Sequence, residues 1–260
     1  GEAVREQLDA AARDVLEGPE MEAVAPILRL QRRVSAIPLL GELLIERIKT
    51  RDGHHLFFYP FGGRLVNQGL AALLAYRLGR VQPLTFTLTA NDYGFELLSA
   101  ERAPLDAALA GDPHLFTSAN LLDDITASLN AGELARRQFR EVARVAGLIT
   151  QGYPGQKVRA RHLQASSDLF FEVFRQYDPG NLLLAQAERE VLERQLEQSR
   201  LAVTLREMAS SQVRLVEPKR PTPFCFPLFV ERMQASTLTT ESLAERVRRM
   251  TEQLEKWAPV

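Results

Sequence analysis

Residues 42–61, ELLIERIKTRDGHHLFFYPF, contain the pattern that decides the fold of this chain. Apolar and polar side chains alternate, imperfectly, over 42–50, and a period of two is typical of a β-strand. The Arg-Asp-Gly segment at 51–53 is a turn signal, because Asp-Gly supplies the positive φ that a tight hairpin needs. Residues 54–61 then return as the partner strand. The stretch therefore predicts a β-hairpin.

Strand and helix patterns extend outward from this hairpin on both sides. The strand candidates are 42–50, 54–61, 83–90, 93–99, 213–218 and 223–230. Pro227 would place the last of these on an edge or at a bulge. Helical periodicity is found at 2–17, 20–34, 64–80, 120–129, 133–148, 159–176, 181–209 and about 240–257. These elements predict an α+β fold with about six antiparallel strands, as a sheet or a barrel, packed with helices into a single compact unit.

The composition indicates a folded protein that works in a reducing compartment. The chain has 260 residues, is 45% hydrophobic and 25% charged, and has a net charge of −1, which is ordinary for a globular domain. No run approaches the apolar length of a membrane span, so no membrane partner is expected. One cysteine, Cys225, excludes an internal disulfide and fits a cytoplasmic location. The chain starts with Gly1 inside a helical pattern, which suggests an excised fragment.

The sequence lacks the short motifs of common catalytic sites. There is no GxxxxGK[S/T] phosphate loop, HExxH, CxxC or GxSxG segment. His54 and His55 are adjacent on a predicted strand and point to opposite faces, so they predict one half-buried and one exposed side chain, not a metal site. Asp123 and Asp124 are expected to complement the first turn of a helix. We predict no catalytic residue, and we expect Cys225 to be a buried small apolar side chain.

Residues 131–163, AGELARRQFREVARVAGLITQGYPGQKVRARHL, concentrate positive charge in a chain that is otherwise nearly neutral. The segment contains seven Lys and Arg residues but only two Glu residues. A polyanion such as a phosphate backbone binds to clustered cations of this kind. The spacing of four between arginines predicts a stripe along one helix, and the glycine-rich loop after it adds an aromatic ring that can stack on a base. The candidate nucleic-acid contacts are Arg136, Arg137, Arg140, Arg144, Tyr153, Lys157, Arg159 and Arg161.

Two other interpretations of this segment stay open at the sequence level. The arginines could form a solvated helix face that pairs with Glu133, Glu141 or other acids, or they could bind an acidic protein. In either case Ala135, Phe139, Val142 and Ala146 form the apolar side that docks the helix. The aromatic run within 54–61 could be a stacking platform, but we favour a core strand that is covered on both faces.

Several long segments resemble one known family. HHLFFYPFGGRLVNQGLAALLAYRL, NDYGFELLS, SLNAGELARRQFREVARVAGLITQGYPG, LQASSDLFFEVFRQYDPGNLLLAQAEREVL and RPTPFCFPLFVERM are similar to the C-terminal part of the Lhr-type (large helicase-related) bacterial DEXH-box helicase core, in the form called ligase-associated DNA damage response helicase. The likeness covers roughly residues 25–255. It implies that this chain is the fourth, accessory domain of that core; we expect residues 1–34 to form a helical lead-in and 35–260 the accessory domain itself.

The resemblance implies a role without catalysis for this chain. The family's ATPase domains, with their ATP and Mg²⁺, and its winged-helix domain lie upstream, so no cofactor is expected in this chain. The parent would be a 3′-to-5′ ATP-dependent helicase of DNA repair, and this domain would bind single-stranded DNA or an RNA–DNA hybrid and help to enclose the tracking strand. The alternative is a protein-interaction or self-association module without DNA contact, whose partners would be the helicase's own domains or DNA repair proteins.

Overall fold

A five-stranded sheet forms the centre of the fold. The computed structural model describes residues 1–111, 114–128, 131–149, 160–190, 198–235 and residue 248. In chain order the strands are β1 (Glu42–Lys49), β2 (His54–Phe58), β3 (Thr87–Ala90), β4 (Phe95–Ser99) and β5 (Gln212–Val216). Their order across the sheet is β3-β4-β2-β1-β5. The expected α+β class is confirmed, and in the described residues the sheet is open, not a closed barrel.

The pairing confirms the two hairpins and corrects the expected direction of the fifth strand. β1 and β2 run antiparallel, with Lys49 opposite His54 at the turn and Ile45 opposite Phe58. β2 pairs with β4, and β4 with β3, also antiparallel. β5 is parallel to β1, although we expected only antiparallel strands. The chain reaches β5 through a preceding helix, and a crossover of that kind permits parallel pairing.

The helices divide between two units of the chain. The first unit, Gly1–Leu121 with Arg200–Val260, contains the sheet, and the second is Leu122–Ser199. The helices that lie in the first unit are α1 (Glu2–Ala12), α2 (Pro19–Val34), α3 (Arg64–Val81) and α4 (Leu105–Ala110). Those from Leu121 to the end of the second unit are α5 (Leu121–Ser128), α6 (Ala131–Val145), α7 (Ala160–Tyr177) and α8 (Leu182–Glu190). The chain then returns to the first unit through α9 (Gln198–Ser210) and α10 (Phe226–Ala235).

The first unit buries the three central strands of its sheet, β1, β2 and β4, almost continuously. Six consecutive residues of β1, from Leu43 to Ile48, are buried, because apolar side chains pack on both faces of the strand. One core cluster joins Leu8 of α1 and Leu28 of α2 to Leu44 and Phe57 of the sheet. Phe57 and Phe58 are wholly buried, so the prediction of a core strand at the aromatic run is confirmed.

The expected sixth strand at 223–230 is wrong, because α10 occupies most of it. Cys225, Leu228 and Phe229 are buried and have a spacing of three and four residues, which is the helical period. Pro227 is the second residue of the helix, where no backbone N–H needs a partner inside the helix. Proline therefore marks a helix start here and not a sheet edge.

The second unit has a small helical core of its own. Phe139, Val142 and Ala143 of α6 pack with Phe171 of α7 and Leu184 of α8. The predicted helix at 181–209 is observed as α8 and α9, and residues 191–197 between them lie outside the described residues. The predicted helix at 240–257 also lies outside them, apart from residue 248. No helix in the described ranges is long and apolar enough to cross a membrane.

Candidate nucleic-acid interface

Helix α6 carries four of the predicted cationic contacts, from Arg136 to Arg144. Its Phe139 ring contacts the rings of Phe171 and Phe174 edge-on, with centroid distances of 5.5 and 6.0 Å. Val142 and Ala143 are buried beside it, whereas Ala146, which we expected on this face, is exposed. The apolar side of the helix therefore fixes its rotation about its own axis, as the sequence pattern predicted.

Two of the predicted arginines have described side chains, and their surroundings differ. Arg144 is about half exposed and forms an ion pair with Glu141, one turn earlier on the same helix. Such exposed pairs contribute little free energy, so Glu141 does not prevent Arg144 from binding a phosphate. Arg140 is half-buried, and its Nε is inaccessible to solvent and lacks a hydrogen-bond partner. Arg144 is thus the more accessible cation of the two.

The other predicted contacts lie outside the part of the molecule that the structure describes. Arg136 and Arg137 belong to α6 and Arg161 to the first turn of α7, but only their backbone is described. Tyr153, Lys157 and Arg159 fall within residues 150–159, outside the described ranges. These six residues stay predictions.

The positions of the two adjacent histidines agree only in part with the prediction from the sequence. His54 is half-buried, and its pKa is lowered by burial, and further by Lys49 and Arg102 nearby. His55, which we expected to be at least half exposed, is wholly buried. Its Nδ1 lies 2.6 Å from Glu96 Oε1 and its Nε2 lies 2.7 Å from Thr50 Oγ1.

The Thr50–His55–Glu96 chain has the connectivity of a hydroxyl, base and carboxylate triad, but it does not form a catalytic site. Catalysis requires that the base reach a substrate in an open cleft. His55 and Glu96 have no exposed surface, and the His55 ring stacks on Phe57 at 5.8 Å. The described residues also contain no group of three or more potential metal ligands. This network therefore holds the β1–β2 hairpin on β4.

A second buried carboxylate, Glu46 of β1, has no ion-pair partner among the described residues. It accepts hydrogen bonds from Gln31 Nε2 at 2.9 Å, Tyr59 OH at 2.8 Å and Thr222 Oγ1 at 2.7 Å. Burial, and then the Glu46 charge, raises the pKa of the Tyr59 hydroxyl and of the neighbouring Cys225 thiol well above their ordinary values. The prediction of a buried, unreactive Cys225 is consistent with these surroundings.

Sequence analysis missed both buried carboxylates. Their partners are distant in the chain: Glu96 is 41 residues from His55, and Thr222 is 176 residues from Glu46. No local spacing signals such pairs. The adjacent acids Asp123 and Asp124, by contrast, lie in the first turn of α5, as predicted.

An apolar groove lies on the first unit between α1, α2 and the segment before α10. Its volume is about 560 Å³. Val24, Ile27 and Tyr93 line it with exposed apolar surface, and Phe224 and Pro227 close one side. Exposed apolar surface of this kind is typical of sites that bind another protein segment.

Comparison with known proteins gives concordant matches along most of the chain. The family model described as DEAD/H associated matches residues 37–225. The ATP-dependent helicase Lhr-Core protein 2 of Thermococcus barophilus is 26% identical over 211 residues, which cover 80% of this chain and 24% of that protein. The ATP-dependent helicase Lhr-Core of Methanocaldococcus jannaschii is 21% identical over 229 residues, 88% of this chain and 26% of that protein.

A solved structure has the same fold. It is the Mycobacterium smegmatis helicase Lhr bound to ssDNA and AMP-PNP, with a TM-score of 0.61 and 22% identity over 86% of this chain and 29% of that one. The present chain spans about a quarter of the length of the curated relatives that it matches.

Proposed function

Because the chain belongs to the DEAD/H associated family, we propose that it is an accessory region of an Lhr-type ATP-dependent helicase and that it binds single-stranded nucleic acid. ATP hydrolysis would take place elsewhere in the parent protein, since this chain has no phosphate-loop motif. No part of the proposed role depends on an ATP and Mg²⁺ site in this chain.

The observation that carries this proposal is the position of the cation-rich segment. Helix α6 buries Phe139, Val142 and Ala143 in the core of the second unit, and Arg144 lies on an exposed side of the same helix. Arg144 is accessible there, and the glutamate with which it pairs is itself exposed. The structural relative, an Lhr helicase, was solved with ssDNA bound, which supports the choice of ligand.

The finer role follows the family resemblance. We propose that the chain is the fourth domain of a bacterial helicase core, that it acts beside upstream ATPase and winged-helix domains, and that it helps to enclose a strand along which the motor moves 3′ to 5′. We further propose cytoplasmic DNA repair as the setting and an RNA–DNA hybrid as a second substrate. A tethered domain of this kind needs only weak affinity of its own, since the motor raises its effective concentration at the strand.

Fluorescence anisotropy with a labelled single strand at two salt concentrations tests the proposal. We expect a Kd in the non-specific range, about 10⁻⁴–10⁻⁶ M, that weakens as salt rises. The Arg140→Glu, Arg144→Glu double variant should lose binding, whereas Arg102→Glu, a charge reversal at an exposed ion-paired arginine in the first unit, should retain it. Thermal unfolding of each variant shows whether the substitution of the half-buried Arg140 disturbs folding. Salt-independent binding, or binding that survives the double reversal, would contradict the assignment of this surface.

The apolar groove favours a second candidate, a protein-interaction or self-association module without nucleic-acid contact. Such a module would leave the labelled strand unbound and bury Ile27 and Val24 in a complex. Light scattering of the chain over a range of concentrations checks self-association. A dimer that persists on dilution and is lost in Ile27→Asp would favour this candidate over the first.

A further inference from the structure

A small cavity on the first unit is lined by two arginines that the basic helix does not include. It lies between the end of α2 and the edge strand β5, and its volume is about 130 Å³. Arg32, from the last turn of α2, and Arg214, from β5, both line it, together with Ser35, which follows α2 directly. Two arginines and a serine, from segments about 180 residues apart, thus line the same cavity.

Both arginines retain the capacity to bind another anion. Arg32 pairs with Asp14 through both terminal nitrogens, each 3.0 Å from a carboxylate oxygen, so a ligand must displace Asp14 from this fork; both side chains are substantially exposed, at 43% and 64%. Arg214 contacts Glu42 at 3.3 Å, a long ion pair, and is 45% exposed. Exposed pairs contribute little free energy, and each guanidinium has five N–H donors, more than these contacts use.

Ser35 adds a hydroxyl that the protein itself does not satisfy. Its Oγ is inaccessible to solvent and forms no hydrogen bond. Buried hydroxyl groups normally have a partner, so a free one at the edge of a polar cavity is informative. Ser35 lines the cavity, so a side-chain rotation that exposes its Oγ would let the hydroxyl donate to an anion bound there.

We propose that this cavity binds one phosphate group of a nucleic-acid backbone, through Arg32, Arg214 and Ser35. The planar fork of arginine matches two phosphate oxygens at once, which a lysine cannot do. Asp14 and Glu42 compete with the ligand, and the carbonyl end of α2 disfavours an anion, so the site binds weakly alone and acts together with other contacts. This inference rests on the proposed function and adds a second contact surface, on the first unit.

Binding of single-stranded nucleic acid provides the first test, and a substitution of Arg102 again serves as the control. A single-strand complex loses about 0.7 in the slope of log K against log salt for each phosphate contact removed. We expect the double variant Arg32→Gln, Arg214→Gln to make this slope less steep by about that amount. Its affinity for the strand should fall roughly tenfold at low salt. Arg102→Gln, at an arginine that is also exposed and ion-paired but does not line this cavity, should change neither. An unchanged slope in the double variant would overturn the inference while leaving the proposed function intact.

Inorganic phosphate provides the second test, which does not depend on strand binding. In a titration of the full chain followed by NMR, the Nε–H signals of Arg32 and Arg214 and the amide of Ser35 should shift together and saturate. No shift at millimolar phosphate overturns the inference. A shift without any effect of the variants on strand binding would mean that the cavity takes free phosphate, and would overturn the backbone assignment.

Discussion

Glu46 is the residue whose environment is the least like that of an ordinary glutamate. It is wholly buried, and three side-chain donors surround it, with no ion-pair partner in the part of the chain that the structure describes. These donors come from α2, from the end of β2 and from the turn before α10. A carboxylate in such a place is stable only while each hydrogen bond is made, so it ties three distant segments to one point.

Removing this carboxylate should destabilise the first unit strongly. Glu46→Ala leaves the Gln31, Tyr59 and Thr222 donors unsatisfied, at about 1–3 kcal/mol each, so we expect a loss of at least ~3 kcal/mol in the free energy of unfolding. Glu6→Ala, at an exposed position of α1, should change it by less than about 0.5 kcal/mol. Urea unfolding measures both. Equal losses in the two variants would mean that the network contributes nothing to stability.

Tyr59 and Cys225 make stability depend on alkaline pH. Burial raises both pKa values above their ordinary 10.0 and 9.0. The unfolded chain releases these protons first, so the stability that these two groups contribute is constant below about pH 9 and is lost above it, by up to ~1.4 kcal/mol per pH unit for each group. Urea unfolding between about pH 8 and pH 10 should show this fall, and Cys225→Ala should reduce it. An identical pH slope in this variant would exclude the thiol as its cause.

Among the elements, the β1–β2 hairpin depends most directly on one glycine. Gly53 has φ +139°, and a Cβ there would lie 2.4 Å from the Ser99 carbonyl oxygen of β4. The sequence predicts the Asp-Gly turn, but not the close approach of β4, because that approach arises from sheet pairing.

Substituting this glycine should separate backbone strain from the steric contact. Gly53→Ala should lower the free energy of unfolding by more than ~2 kcal/mol, because strain and a backbone clash add. Gly41→Ala is the matched control: its φ is +82° and nothing lies within 4 Å, so strain alone should cost about 1–2 kcal/mol. If both substitutions lowered the free energy of unfolding by similar amounts, β4 would have to move away from the added Cβ at little cost. Thermal or urea unfolding gives both values.

The elements show where prediction from the sequence succeeded and why it stopped. Both hairpins, α3 and α6 were predicted within a few residues, since each has a clear period and a turn signal of its own. α10 was missed because PFCFPLFV is apolar throughout and a run of that kind fits strand and helix alike. The parallel pairing of β5 with β1 depends on a partner about 170 residues away, which no local pattern specifies. The same limit hid the cavity formed by Arg32 and Arg214.

At the scale of the whole molecule, each unit has its own hydrophobic cluster, Leu44 belonging to one and Phe139 to the other. We expect denaturant unfolding to occur in two steps, since units with separate cores can open separately. Leu44→Ala should shift one step and Phe139→Ala the other, each by about 3–5 kcal/mol. Circular dichroism follows the total loss of secondary structure, and the signals of the aromatic side chains in each core follow the unfolding of that unit. A single step that both substitutions shift equally would contradict this expectation.

The second unit is inserted between two parts of the first, and this order has a consequence for synthesis on the ribosome. The sheet of the first unit needs β5 at its edge, and its core needs Cys225, Leu228 and Phe229. All of these residues are translated after Leu122–Ser199. At ordinary elongation rates the nascent first unit therefore waits on the order of ten seconds, with the β1 edge unpaired, while the inserted unit is made. Slowing or stalling translation within the insertion would prolong the interval in which that edge is open to misassembly.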